Sequence, residues 1–147
     1  MPPEIVVAVV PDAPDAVVEQ LGAQLREFNR VRAPRLEVDG RLVALAWTRD
    51  GFVLGGGIAW SYGGWAELTD LWVAEQARGN DLGTRLMDAL EAEARRLGCT
   101  GMHTDTFSFQ ALPFYEKRGF TVFGTLDGYV DGNVRYYLRK SLVLPGS

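Results

Sequence analysis

The chain has 147 residues, a formal net charge of −4 and a pI near 5.0, and 47% of it is apolar. That length predicts one domain with a self-sufficient core, burying about 70% of its unfolded surface, and the acidic balance excludes a nucleic-acid binder, which would show a concentrated basic face. The lone cysteine, Cys99, cannot form an internal disulfide, and the lone histidine, His103, excludes a histidine-rich metal cluster, so no metal site is expected.

Residues 5–10 read as a first strand, without the basic leader of a signal peptide. No stretch is long enough to cross a bilayer, so a cytoplasmic location without a membrane partner is expected. Pro11-Asp12-Ala13-Pro14 is a helix-start signature in which Asp12 caps and Pro14 sits in the first turn. The helix then runs to about Asn29, with Leu21, Leu25 and Phe28 as its apolar stripe. Extended segments at 41–49, 52–62 and 65–73, parted by the turn pairs Asp50-Gly51 and Gly63-Gly64, predict an antiparallel meander. Strict alternation along the last segment puts Glu67, Thr69, Leu71 and Val73 on one face and Asp70 on the other.

That segment breaks into a short glycine-bearing loop that opens an amphipathic helix. Leu82, Leu86, Leu90, Ala94 and Leu97 recur at helical spacing, Asp88, Glu91, Arg95 and Arg96 take the outer face, and Gly98 ends the helix. At such a helix start the first N–H groups lack intrahelical partners and the macrodipole adds positive potential, which makes an anion cradle. Gly79 and Gly83 allow close approach to a ligand, although glycines also serve such loops simply by turning the chain. Neither GxxxxGK[ST] nor GxGxxG is present. A strand at 101–107, a short helix from near Pro113, and strands at 120–126 and 134–139 complete an interleaved α/β (α+β) chain without linker or repeat.

In this order of elements, four stretches resemble the GNAT superfamily of acyl-CoA-dependent N-acetyltransferases. Gln76-Ala77-Arg78-Gly79-Asn80-Asp81 is similar to the family's Q/R-x-x-G-x-G/A phosphate loop, and WAELTDLWV to its fourth strand. FYEKRGF at 114–120 resembles its tyrosine-bearing helix and the strand after it, and TDTFSFQALPFYEKRGF as a whole resembles one branch of small bacterial members. The resemblance implies a single N-acetyltransferase domain over residues 1–147: a GNAT fold with a mixed, mostly antiparallel sheet of about six to seven strands and helices on both faces. It also implies acetyl-CoA as cofactor and allows a homodimer. Asp81 departs from the pattern, which has glycine or alanine there, and Ser108 replaces a frequent asparagine.

The implied cofactor contacts are the main chain of Leu71, Trp72 and Val73 along the pantetheine arm, the run Arg78, Gly79, Asn80, Asp81, Leu82, Gly83, Thr84 and Arg85 at the pyrophosphate, and Ser108 and Tyr115 beyond. Asp81 would turn its carboxylate to solvent or cap the helix at the Thr84 amide. Acetyl transfer to a primary amine would proceed by direct attack through a tetrahedral intermediate. Tyr115 would protonate the departing thiolate and Glu67 would be the base, with Asp70 in reserve and Asp105 behind it. Each residue also has a plain structural role open to it. Glu67 could be a solvated strand residue and Tyr115 a core ring, while Trp47, Trp60 and Tyr62, with Trp65 and Trp72, could line an acceptor pocket or pair across the sheet. Asp127, Tyr129 and Asp131 belong either to the rim or to an ordinary hairpin. The carboxylates Glu67, Asp70 and Asp105 favour a small cationic amine as acceptor. A non-catalytic acyl-CoA-binding module and an interaction domain without cofactor are the readings from other classes.

Overall fold

The computed structural model describes residues 1–145. The chain divides into two compact units, residues 1–37 and 38–147.

In the first unit, residues 5–10 carry no strand, contrary to expectation, and are exposed. Their β-branched run supplies propensity, but propensity becomes a strand only against a neighbour that packs on it. Helix α1, Asp15–Arg32, extends past the expected end. Pro14 takes the N-cap position with no side-chain cap, so neither Asp12 nor Pro14 plays the role the signature suggested. The Val17 amide donates to the Pro14 carbonyl instead, at 2.9 Å. Leu21, Leu25 and Phe28 are all exposed, and the Arg32 guanidinium lies 3.6 Å from the Phe28 ring centroid.

The second unit is a six-stranded mixed sheet in the order β1-β2-β3-β4-β6-β5. Its strands are β1 Val38–Trp47, β2 Val53–Tyr62, β3 Trp65–Val73, β4 Gly101–Phe107, β5 Thr121–Leu126 and β6 Arg135–Ser141. The first three form the expected meander. Helix α2, Leu82–Arg96, crosses over to β4, which pairs in parallel with β3. Helix α3, Leu112–Lys117, precedes β5. Of the helices that the resemblance distributes over both faces, α2 and α3 share one face, packing with Leu42, Ala59, Ala66, Leu68, Met102 and Leu138 into one core. Gly57 lets α2 lie close, because a Cβ there would come within 2.7 Å of Leu90 Cδ1. No helix among the described residues is long and apolar enough to cross a membrane.

Two expectations within this unit are corrected. Glu91, assigned to the outer face of α2, is 3% exposed and belongs to the buried stripe with Leu86, Met87, Leu90 and Ala94, whereas Leu97 is exposed. It is buried because cations reach it: Lys140 Nζ at 2.6 Å and Arg118 Nη2 at 2.5 Å. The alternation along β3 also fails, because a bulge sits at Thr69. Ile58 pairs with Asp70 but Ala59 pairs with Leu68, leaving Thr69 as the extra residue. Paired residues project to the same face. Glu67, Asp70 and Trp72 therefore share the face away from α2, while Leu71 and Val73 turn toward α2 with Leu68.

Candidate active site

The bulge and a divergence of strands build a cleft together. The β3–β4 ladder holds only from Trp65↔Gly101 to Glu67↔His103. Thr104 then spans the opening gap, its hydroxyl donating to the Leu68 carbonyl at 2.9 Å. Beyond it β3 follows β2 to Val73, while β4 follows β6 to Phe107. Gln110 secures the end of β4, its Oε1 accepting from the Phe107 amide at 2.7 Å. The wedge so formed is a cleft of about 100 Å³, lined by Leu68 to Leu71, Thr104 to Thr106, Gln110, Ala111 and Tyr115.

Tyr115 closes the cleft from the helix side. Its ring is buried edge-on between Phe114 and Phe120, with centroids 5.3 and 5.5 Å away. Burial pushes its pKa up to about 12, the Asp105 carboxylate adds to the shift, and a hydrogen bond with Thr104 opposes it. The phenol is therefore neutral, with its proton in place, at any ordinary pH.

The three carboxylates named from sequence separate here. Asp70 lines the cleft, having been brought there by the bulge, and has no ion-pair partner among the described residues. Asp105 lines it too, but its Oδ1 takes both Nε and Nη2 of Arg135, at 3.0 and 2.9 Å. This pair raises the pKa of Arg135, chiefly through the Asp105 hydrogen bond and then through Tyr129. Glu67 does not line the cleft. It lies on the face away from α2, across from Trp60 and beside His103, whereas Tyr115 is packed on the helix side.

At the far end of β3 the chain makes the 3₁₀ turn Glu75–Ala77 and enters α2. The Arg78 amide donates to the Glu75 carbonyl and the Arg85 amide to that of Asp81. Between them the amides of Gly79, Asn80, Asp81, Leu82, Gly83 and Thr84 have no protein acceptor among the described residues. Gly79 has φ +83 and open space where a Cβ would be, so the loop presents bare backbone. A diphosphate suits this donor set: it is a run of free N–H groups ending on the N-terminus of a 15-residue helix. Arg78 is turned aside, its Nε bonded to the Val73 carbonyl at 3.1 Å. Arg85 lines a groove between α2 and β1 instead.

Asp81 neither caps the helix nor relaxes the loop. It is the N-cap residue of α2 in a left-handed conformation, φ 58 and ψ 19, with no side-chain cap. Glycine fits that conformation without strain, and aspartate is among the few residues that tolerate it. Asp81→Gly is expected to tighten CoA binding about fivefold, the removal of one unit charge near the diphosphate being worth about 1 kcal/mol. Its effect on Tm should be small, because relief of left-handed strain offsets the lost charge–dipole attraction and the greater freedom of the unfolded chain. Titration of CoA by calorimetry, beside a melting curve of the free protein, checks both.

Other residues fall to either side of the cleft. Ser108 is committed locally, its hydroxyl accepting from the Val134 amide at 3.0 Å. Trp60, Tyr62, Trp65 and Trp72 lie on the face away from α2, with Trp65 edge-on to His103 at 5.9 Å. Trp47 is not with them, since it stands at the end of β1 against the α2 groove, two strands from the cleft. Tyr129 packs its ring 4.9 Å from that of Phe107, outside the residues that line the cleft, while Asp131 takes φ 59 in the turn Val130–Gly132. Sequence reasoning missed Thr104, Gln110 and Arg135. Thr104 had one signal, its alternation with Asp105 in the strand opposite β3.

A splayed pair of parallel strands, ending on a helix whose entry loop offers free amides, defines an acyl-coenzyme A binding fold. The chain belongs to the acetyltransferase (GNAT) family, whose profile matches residues 10–120. It is 36% identical over 91 residues to the acetyltransferase Atu2258 of Agrobacterium fabrum, covering 62% of this chain and 66% of that one. It is 38% identical over 79 residues to the blasticidin-S acetyltransferase of Streptomyces morookaense, covering 53% and 58%. The chain thus spans somewhat less than two thirds of the length of these curated relatives. A crystal structure from Agrobacterium tumefaciens, provisionally called an acetyltransferase, superposes with a TM-score of 0.81 at 30% identity, covering 94% of this chain and 98% of that one.

Proposed function

We propose that this chain, acting as one domain, moves an acetyl group from acetyl-CoA to the primary amine of a small cationic acceptor. The observation that carries the reading is that β3, once it has parted from β4, flanks a cleft closed by a neutral tyrosine and then leads on to a run of amides without protein acceptors among the described residues. Bound there, acetyl-CoA would supply an acyl thioester already activated toward amines.

The residues of the chain do the rest. The amides from Gly79 to Thr84 hold the diphosphate, and the main chain of Leu71, Trp72 and Val73 flanks the arm where β4 has left β3. An alkyl ammonium of pKa about 10 is roughly 99.9% protonated at pH 7, so the acceptor must lose a proton before it reacts. Asp70 takes that proton on its carboxylate. Tyr115 holds its own at Oη, directed into the cleft. The carboxylates Asp70 and Glu67, without ion-pair partners among the described residues, and the rings of Trp60, Tyr62, Trp65 and Trp72 favour a cationic acceptor, and the relative named for blasticidin S supports a small molecule.

Two measurements test the proposal. CoA at a hundred times its dissociation constant is expected to stabilise the protein by about 2.7 kcal/mol, a clear rise in Tm. A library of amines, read by release of free thiol from acetyl-CoA, is expected to give turnover with cationic small molecules. Absence of any thermal shift defeats the cofactor assignment. A shift without thiol release from any amine makes the chain a binding module.

A further inference from the structure

We infer that Arg118, gripped by the buried carboxylate of Glu91, is a positioning residue for Tyr115. The inference rests on the reading of Tyr115 as the cleft's proton-holding group. Helix α3 has six residues and no side-chain cap at its start, too little to hold an orientation by its own hydrogen bonds. Immediately after it Gly119, at φ +93, turns the chain toward β5. The direction in which Tyr115 points must therefore be set by contacts from outside the helix.

The apolar contacts, Phe114 and Phe120 against Tyr115, are ring edges on ring faces and resist sliding weakly. The polar contact is directional. Arg118 follows Tyr115 by three residues, which places both on one side of the turn. Its amide donates to the Tyr115 carbonyl at 3.1 Å. Its guanidinium reaches α2, with Nη2 at 2.5 Å from Glu91 Oε2 and 2.9 Å from Asp88 Oδ1. The other oxygen of Glu91 receives Lys140 Nζ of β6 at 2.6 Å. One buried carboxylate thus ties α2, which starts at the amide cradle, to the end of α3 and to the strand beside β4. Those elements frame the cleft. A planar fork fixed at both its backbone and its head transmits that registration to the residue whose carbonyl it holds.

The test is a double-mutant cycle in steady-state kinetics on the full chain. Arg118→Met is expected to lower kcat about tenfold and to change KM for acetyl-CoA by less than about twofold, because the guanidinium meets the cradle only at the Thr84 carbonyl, at 3.5 Å, and none of the free amides depends on it. Arg118→Lys, which keeps a charge for Glu91, is expected to recover about half or more of the lost activity. In the Tyr115→Phe background the Met substitution should cost nothing further. An equal loss in both backgrounds, or a loss carried wholly by KM, overturns the inference. Should the Met variant not fold, Asp88→Asn removes one arm of the grip at an exposed position. It is then expected to lower kcat about two- to threefold in the Tyr115 background only, and an equal loss in both again overturns the inference. If Tyr115→Phe alone leaves kcat unchanged, it is the reading of Tyr115 that fails, and this inference with it.

Discussion

Tyr115→Phe is expected to lower turnover at least about tenfold while moving Tm by no more than about 2 °C. The substitution keeps the ring between Phe114 and Phe120 and removes only the hydroxyl that faces the cleft, so packing survives and the proton is lost. The pKa of about 12 makes the prediction sharper. A phenol so far above the working pH stays protonated, and in the proposed reaction it would serve the departing thiolate as a hydrogen-bond donor ahead of full proton transfer. The pH profile of kcat should consequently show no alkaline limb from Tyr115 below about pH 11. Stability gives an independent check on the same group. Because the folded pKa is raised above the unfolded value of 10.0, the contribution of the neutral phenol is complete below pH 10 and is lost as pH rises toward 12. The wild-type chain should lose roughly 2–3 kcal/mol across that window, and the phenylalanine variant should not show this component. Unchanged turnover on the best acceptor would remove Tyr115 from the chemistry.

The sequence made the meander, the crossover helix and the amide cradle legible, because each is written in local signals: turn pairs, helical spacing, and glycine at a loop that opens a helix. What it left hidden has a common physical origin in residues whose roles depend on distant partners. Glu91 looks like a surface residue in any binary pattern, and only Arg118 and Lys140, far along the chain, make its burial tolerable. The bulge at Thr69 leaves no mark in WAELTDLWV, yet a one-residue slip reverses the facing of every side chain after it. Asp105 was visible as a carboxylate, but its partner Arg135 lies on the neighbouring β6 and takes it out of contention as a free base. Residues 5–10 have the composition of a strand and remain without one.

That same slip places the two candidate bases differently with respect to the cleft. Strict alternation would leave Glu67 facing the reaction and Asp70 turned away, whereas the bulge puts both on one face and only Asp70 in the cleft. Asp70→Asn is therefore expected to lower kcat/KM for the amine about 100-fold at pH 7, the scale of a lost general base. Glu67→Gln should cost less than about threefold, the effect of one exposed charge on a cationic acceptor. The pH dependence separates a lost base from a lost binding contact. Free amine makes up about 0.1% of an acceptor of pKa near 10 at pH 7 and about 10% at pH 9, so the need for a proton acceptor fades as pH rises. The Asp70→Asn deficit should then shrink by one to two orders of magnitude over those two pH units, roughly in proportion to the free amine. A deficit of constant size would mark Asp70 as an anchor for the ammonium. A large loss in Glu67→Gln with Asp70→Asn near wild type would move the base out of the cleft altogether.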